Sequence, residues 1–358
     1  MPATPRRSPI RRSLAALVAA AALLLPACTL PTNGVSALGV HLAGPRGFAT
    51  SANRILGPNG RAFLVHGVDR PSLEWSATGD HIAAPDFRYM AAWGANTVRI
   101  ALNQDFWLST SCAHDPAYPG RVAQAVHWAE AAGLVVILDL HWSDRGQDQH
   151  GGLFCPVKPG QQPMADANSL TFWRQVAAQY KDDPRVWLEL YNEPHDVPWS
   201  VWRDGGTATD TTTHTQWTVV GMQQLYDAVR AQGARNMVVV GGLNWAYDLR
   251  GLPHYALTGE NIVYAVHPYD YSGKRSADWP TDFGFAAKTW PVVATEFGEF
   301  DCGTHYVDAF LQYAAKIGIG WTAWAWYPGG CKFPAIIQDW QGTPSAMGAP
   351  IQAAMKKW

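Results

Sequence analysis

Two glutamates stand where a carboxyl group could do chemistry. Glu193 closes an apolar run in Leu190-Tyr191-Asn192-Glu193-Pro194-His195, and Glu296 closes another in Val293-Ala294-Thr295-Glu296-Phe297-Gly298. Such a pair is what breaking a glycosidic bond requires. One carboxyl protonates the departing oxygen while the other attacks or stabilises the oxocarbenium-like centre. Other polar residues close similar runs: Arg99 in Asn96-Thr97-Val98-Arg99-Ile100, His141 in Leu138-Asp139-Leu140-His141-Trp142, and His267 and Tyr269 in Val266-His267-Pro268-Tyr269. Neither histidine belongs to an H-E-x-x-H or comparable metal-ligand spacing, and no G-x-S-x-G, P-loop or G-x-G-x-x-G motif occurs. No metal and no organic cofactor are expected.

The elements that must carry these residues follow a repeat. Short apolar runs recur at Phe63–Asp69, Thr97–Leu102, Val135–Trp142, Val186–Glu193, Val238–Gly242, Ile262–Tyr269, Val292–Glu296 and Trp321–Tyr327. Near-continuous Val/Ile/Leu runs are what parallel strands covered on both faces need. Between them lie helical patterns, as in Phe172-Trp173, Val176-Ala177 and Tyr180. Repeats of about 37 residues suit an α/β fold consisting of a single (β/α)8 TIM barrel, in which the strand C-termini carry the active site. Upstream, Arg54–Leu56, the turn Gly57-Pro58-Asn59-Gly60 and Arg61–Val65 predict a β-hairpin capping the barrel bottom.

The chain has 358 residues, of which 47% are hydrophobic and 16% charged, so it can bury a large core and is not disordered. Residues 1–27 combine Arg6, Arg7, Arg11 and Arg12 with the apolar run Leu14–Leu25, the pattern of an export signal. Arg11-Arg12 adds a weaker twin-arginine hint. Removing those four arginines from the 27 basic residues leaves 23 against 29 acidic, a net charge of −6, without a basic cluster in the body of the chain. Nucleic acid is therefore not an expected partner. The signal ends in Leu25-Pro26-Ala27-Cys28, similar to a bacterial lipobox, so Cys28 is the expected lipidation site and anchor to a membrane. Residues 28–46 read as a Gly/Pro/Ser/Thr tether, and 47–358 as the barrel domain, expected to be monomeric. In an oxidising compartment the remaining cysteines pair. Cys112 and Cys155 follow the second and third runs and Cys302 and Cys331 the seventh and eighth, which predicts Cys112–Cys155 and Cys302–Cys331 bridges between neighbouring loops.

With these residues in place, the mature chain resembles the glycoside hydrolase family 5 enzymes, the cellulase-like members of a retaining clan with catalytic glutamates on barrel strands four and seven. The most specific element is Asn192-Glu193-Pro194, followed by Glu296-Phe297-Gly298. The resemblance implies that Glu193 is the general acid/base and Glu296 the nucleophile. It implies that Arg99 hydrogen-bonds the nucleophile and keeps it ionised, that His141 lies near the sugar in the cleavage subsite, and that Asn192 bonds the sugar 2-hydroxyl. It pairs His267 with Tyr269, the tyrosine oxygen close to the nucleophile. Trp326 matches the platform tryptophan of strand eight, with Trp324 as its rival. Glu189, Glu299, Asp139 and Asp144 read as supporting or loop residues.

The 18 tryptophans exceed what one core needs, and pyranose rings stack on aromatic faces. Trp75, Trp107, Trp142, Trp199, Trp202 and Trp245 are loop candidates for subsites, with Trp142 and Trp245 foremost because they directly follow strand ends. The resemblance implies an exported retaining endo-β-1,4-glucanase acting by double displacement on a β-linked polysaccharide. The alternatives are a β-mannanase or another β-glucan-active hydrolase and, from a different class, a carbohydrate-binding lipoprotein without catalysis.

Overall fold

A computed structural model describes residues 47–143, 162–209, 214 and 216–357. The expected signal, the lipobox Cys28, the tether, Asp144 and Cys155 lie outside the described residues. No helix of the described residues is long and apolar enough to cross a membrane.

The eight apolar runs form eight parallel strands: β1 His66–Arg70, β2 Thr97–Asn103, β3 Val135–Trp142, β4 Val186–Glu189, β5 Val238–Gly241, β6 Ile262–Val266, β7 Val292–Ala294 and β8 Gly320–Ala323. Each pairs with the next, and β8 pairs with β1, closing the barrel. Gly67 lets β1 lie close against β2, because a Cβ there would lie 2.1 Å from the Thr97 carbonyl oxygen of β2.

Strand alternation decides what the barrel encloses. Val136, Leu138 and Leu140 on β3 face outward into the main core, under helices that present Phe87, Met90, Val122 and Phe172. Val135 and Ile137 face inward and meet Trp187, Val239, Val263 and Val293, which fill the lower interior. Two residues further along the same inward rows, the side chains turn polar: Asp69, Arg99, Asp139, Glu189 and Thr295 are all buried. The barrel is thus greasy at its base and charged below its mouth.

Several strands stop short of the runs read from sequence. β4 ends at Glu189, β6 at Val266 and β7 at Ala294, so Glu193, His267, Tyr269 and Glu296 stand on the connections just beyond. The chain after β4 still bonds its neighbours, Leu190 N to Val239 O at 3.0 Å and Asn192 N to Leu140 O at 3.1 Å. That holds Glu193 over the mouth.

The hairpin cap exists, but its ladder lies one strand earlier than expected. Ala49–Ser51 pairs with Arg54–Leu56. The Gly57–Gly60 turn does fold the chain back, placing Phe63 N 2.8 Å from Ile55 O, yet Leu56 and Ala62 make only an isolated bridge. Phe48 packs edge-on against both Phe63 and Trp187, at 4.9 and 5.2 Å between ring centroids, and seals the base.

The helix Ala167–Tyr180 starts at Asp166, whose carboxylate accepts from Asn168 N and Ser169 N, and buries Phe172, Trp173, Val176, Ala177 and Tyr180. Three units depart from the simple repeat, the one after β5 carrying only the four-residue helices Leu243–Ala246 and Leu252–Tyr255. Between β4 and β5 a hairpin, Gly206–Thr209 with Gln216–Val219, precedes the helix Met222–Arg230; after β6 the helix is replaced by short turns at Pro280–Gly284 and Ala286–Lys288. Cys302 and Cys331 form the expected disulfide, Cα atoms 4.8 Å apart, tying the loop after β7 to the loop after β8.

Candidate active site

Arg99 is fully buried and points up the barrel axis into a ring of acids. Nη1 donates to Glu296 Oε1 at 2.7 Å, Nη2 to Asn192 Oδ1 at 2.6 Å, and Nε to Glu189 Oε2 at 2.5 Å. Asp139 Oδ2 lies 2.9 Å from Nη2 and Asp69 Oδ1 3.6 Å from Nη1. Burial alone would lower the guanidinium's pKa, but Asp139, Glu189, Glu296 and Asp69 outweigh it and hold the value above its ordinary one. One cation cannot neutralise four carboxylates. Burial accordingly pushes Asp139 and Glu189 each up to about 7, and raises Asp69 well above its usual range.

Glu296 receives a second donor, Tyr269 Oη at 2.6 Å from Oε2. Two donors on its two oxygens are the bonds an ionised carboxylate accepts, and they fix its plane. Burial, then the Glu296 charge, raises the Tyr269 phenol well above its ordinary value, so it stays a donor.

Glu193 faces Glu296 across the cleft. Ligand atoms of Glu193, His267 and Glu296 all lie within 4.8 Å of one another. Retaining glycosidases keep their carboxyls about 5–5.5 Å apart, whereas inverting ones need about 6.5–9.5 Å. Burial raises the pKa of Glu193, against the pull of Lys274, His141 and Arg99. His267 Nδ1 lies 3.1 Å from Glu193 Oε1, and burial lowers this imidazole to about 3, so it is neutral. His141 places Nδ1 2.7 Å from Asp139 Oδ2, and burial lowers it to about 4.

A cleft of about 600 Å³ holds these groups, lined by His141, Glu193, Asn244, Trp245, Tyr269, Tyr271, Ser272, Lys274, Glu296, Phe300 and Trp324. The platform expected of Trp326 is a correction. Trp326 is fully buried and packs edge-on against Trp93 at 4.9 Å, while Trp324 lines the cleft and stacks on His141, 5.2 Å between centroids and 15° between planes. β8 ends at Ala323, so the alternation that points Trp324 inward does not extend to Trp326.

Trp245 does line the cleft, 40% exposed. Its position rests on Asn244, Trp245 and Ala246 in the left-handed region, φ 56°, 60° and 52°, and on a face-to-face stack with His195 at 3.6 Å. Trp142 is half-buried and is not among the residues lining this cleft. Trp107 and Trp202 are core residues, donating to Gln175 Oε1 and Gly241 O, and Trp75 and Trp199 are half-buried. Asp139 and Glu189 do support the site through Arg99. Glu299 accepts from Tyr306 N behind it.

Lys274, Tyr271, Phe300 and Thr295 escaped the sequence reading. Lys274 is only 7% exposed, and burial lowers its ammonium to about 8. No periodicity marks a lysine on an irregular loop. Thr295 carried a usable signal, a hydroxyl that continues the inward row of Val293 one residue past the end of β7.

Two groups of side chains could hold a cation among the described residues. One is Glu193, His267 and Glu296 itself. The other is Asp270, Glu299 and His305, where His305 Nδ1 is 3.1 Å from Glu299 and Nε2 3.4 Å from Asp270, so both ring nitrogens already have partners.

Comparison with known proteins agrees with this fold. A β-glucanase of Saccharophagus degradans is 25% identical, covers 88% of this chain and 94% of its own, and superposes with a TM-score of 0.70; the same enzyme has been solved with cellotetraose at the same similarity. The catalytic domain of an endoglucanase from Thermobifida fusca, 19% identical, shares the fold at a TM-score of 0.65, covering 87% and 98%. Endoglucanase N of Pectobacterium atrosepticum is 24% identical over 281 residues, 76% of this chain and 55% of its own. The chain spans about half the length of the curated relatives it matches. The family model for cellulase, glycosyl hydrolase family 5, matches residues 56–330, and the chain belongs to that family.

Proposed function

We propose that the protein is a retaining endo-β-1,4-glucanase in which Glu296 is the nucleophile and Glu193 the general acid/base. The observation that carries this reading is the pair of carboxyls within 4.8 Å across the cleft, one held by Arg99 and Tyr269, the other raised by burial. In the first step Glu296 attacks the anomeric carbon as Glu193 gives its proton to the departing oxygen. In the second, Glu193 takes a proton from water, which displaces Glu296 and releases the sugar with net retention. Arg99 and Tyr269 hold the attacking oxygens in place, which removes reorganisation from the barrier. Trp324 offers an apolar face to the sugar at the point of cleavage, and Trp245 to the neighbouring sugar.

A β-1,4-glucan substrate is supported by the cellotetraose complex of the S. degradans relative and by the endoglucanase relatives. The leader and lipobox support an exported protein whose acylated Cys28 anchors it to a membrane through the tether, acting as a monomer. The Cys112–Cys155 bridge belongs to the same proposal. Mass spectrometry of the mature N-terminus checks the acylation.

The function is tested by reducing-sugar release from carboxymethyl-cellulose, barley β-glucan, glucomannan, galactomannan and xyloglucan, with Glu296→Gln and Glu193→Gln as controls. Hydrolysis of the cellulosic substrates with retained anomeric configuration, lost in Glu296→Gln, is the expected result. Activity confined to mannan or xyloglucan overturns the substrate, and inversion overturns the mechanism.

A further inference from the structure

Glu189 is a buried acid to which the two-glutamate mechanism gives no task. Its Oε1 accepts from Thr295 Oγ1 at 2.7 Å, Thr295 Oγ1 lies 3.0 Å from His267 Nε2, and His267 Nδ1 lies 3.1 Å from Glu193 Oε1. Groups from the end of β4 and from the connections after β6 and β7 therefore form one unbroken row that ends on the acid/base.

A hydroxyl has one proton and a neutral imidazole has one N–H, so the row has two consistent arrangements. With Glu189 ionised, the Thr295 hydroxyl donates to it and can only accept from His267. His267 then carries its proton on Nε2 and turns the Nδ1 lone pair toward Glu193, a position satisfied only by a protonated carboxyl. A proton on Glu189 reverses every donor. Thr295 then donates to Nε2, the imidazole proton sits on Nδ1, and that N–H favours an ionised Glu193.

We propose that Thr295 and Glu189 are positioning residues that select which nitrogen of His267 carries the proton and thereby whether Glu193 is held protonated. The inference rests on Glu193 being the acid/base. Arg99 Nε, 2.5 Å from Glu189 Oε2, favours the ionised Glu189 against burial, which pushes it up to about 7, so the arrangement in which Glu193 is an acid is the one reached as Glu189 ionises. Other charged and titratable groups surround the row. Glu193 also faces Glu296, His141, Arg99, Lys274, His195 and Tyr271; Glu189 faces Asp139; and His267 Nδ1 is 3.7 Å from Glu296 Oε2. Their fields shift the balance between the two arrangements, whereas the hydrogen bonds of the row fix the tautomer.

The test reads the tautomer and the pH profile together. In 15N spectra the wild-type His267 is expected to be protonated on Nε2 at pH 8, above the value of about 7 to which burial pushes Glu189. In Glu189→Gln, whose amide oxygen takes the Arg99 bond and whose NH2 faces Thr295, the proton moves to Nδ1. Thr295→Val frees the tautomer, and both variants move the alkaline limb of kcat/KM about one pH unit toward acid with little change in KM. Thr295→Ser restores the wild-type limb. A wild-type His267 protonated on Nδ1, or an unmoved tautomer and limb in both variants, overturns the proposal. A wild-type protein inactive on every glucan sinks the assignment of Glu193 instead, and the 15N readout still decides the row.

Discussion

Arg99 Nη1 donates to Glu296 Oε1 across 2.7 Å while the same guanidinium bonds Glu189 and Asn192. One side chain thus orients Glu296, the proposed nucleophile, Asn192, which precedes the proposed acid/base, and the acid Glu189 below the barrel mouth. Lysine could keep the charge but not the fork. Arg99→Lys is expected to lower kcat by about a hundredfold or more and to destabilise the fold by about 3–5 kcal/mol, because buried carboxylates lose their paired donors. Steady-state kinetics and urea unfolding of the same preparation check both; loss of activity without loss of stability would mean that the ring of acids tolerates an unpaired charge.

Trp324 and Trp326 separate binding from packing. Trp324→Ala removes the face that stacks beside His141, and kcat/KM should fall by at least tenfold with a smaller loss of melting temperature than Trp326→Ala shows. Trp326→Ala opens a cavity against Trp93 and should cost about 3–5 kcal/mol of stability. The reverse pattern, an unstable Trp324→Ala and a stable but inactive Trp326→Ala, would restore Trp326 as the platform.

Why the sequence placed Arg99 and His141 but not the platform comes down to the ladder. Where a strand persists, alternation assigns inward positions unambiguously, and β2 and β3 carry their polar residues on that rule. Family resemblance then named Glu193, Glu296 and Tyr269, which stand beyond the strands. Past Ala323 the ladder ends, and neither alternation nor composition distinguishes Trp324 from Trp326. The hairpin's ladder lies one strand early for a similar reason: turn chemistry located the reversal at Gly57–Gly60, but the choice of partner strand depends on how Phe48 and Phe63 pack on Trp187. Trp245 was placed by its proximity to β5, and its orientation depends on three left-handed residues that no pattern announces.

The Cys302–Cys331 bridge closes a loop of sequence separation 29 between the connections that follow β7 and β8. By chain entropy, removing it with the double variant Cys302→Ser and Cys331→Ser should cost about 3.6 kcal/mol. The loops carry Phe300 and Phe333, which pack against the cluster of Tyr269 and Trp324, so KM should rise as stability falls. Chemical denaturation with and without reductant measures the first, and kinetics below the melting range the second; an unchanged denaturation midpoint would mean that the loops hold their places by packing alone.

The buried acids also set a pH dependence away from the chemistry. Burial pushes Glu74 up to about 8 and Asp139 and Glu189 up to about 7, from ordinary values of 4.5, 3.8 and 4.5. Between the ordinary and the raised value the folded protein binds more protons than the unfolded chain, so these groups make stability fall as pH rises. The buried histidines His66 and His141, lowered to about 4, and His267, lowered to about 3, act in the opposite sense, but only below their ordinary 6.5. From pH 6.5 to 8 the acids act unopposed by them, and the melting temperature should drop across that window. Glu74 lies in the loop after β1, with Oε2 accepting from Ser72 N, and Glu74→Gln imitates its protonated form. That variant should lose less stability between pH 6.5 and 8 than the wild type while keeping its activity at pH 6. A wild-type melting temperature that rises through this window would mean that Glu74, Asp139 and Glu189 are already ionised in the folded protein, with Arg99 neutralising more of the ring than one cation should.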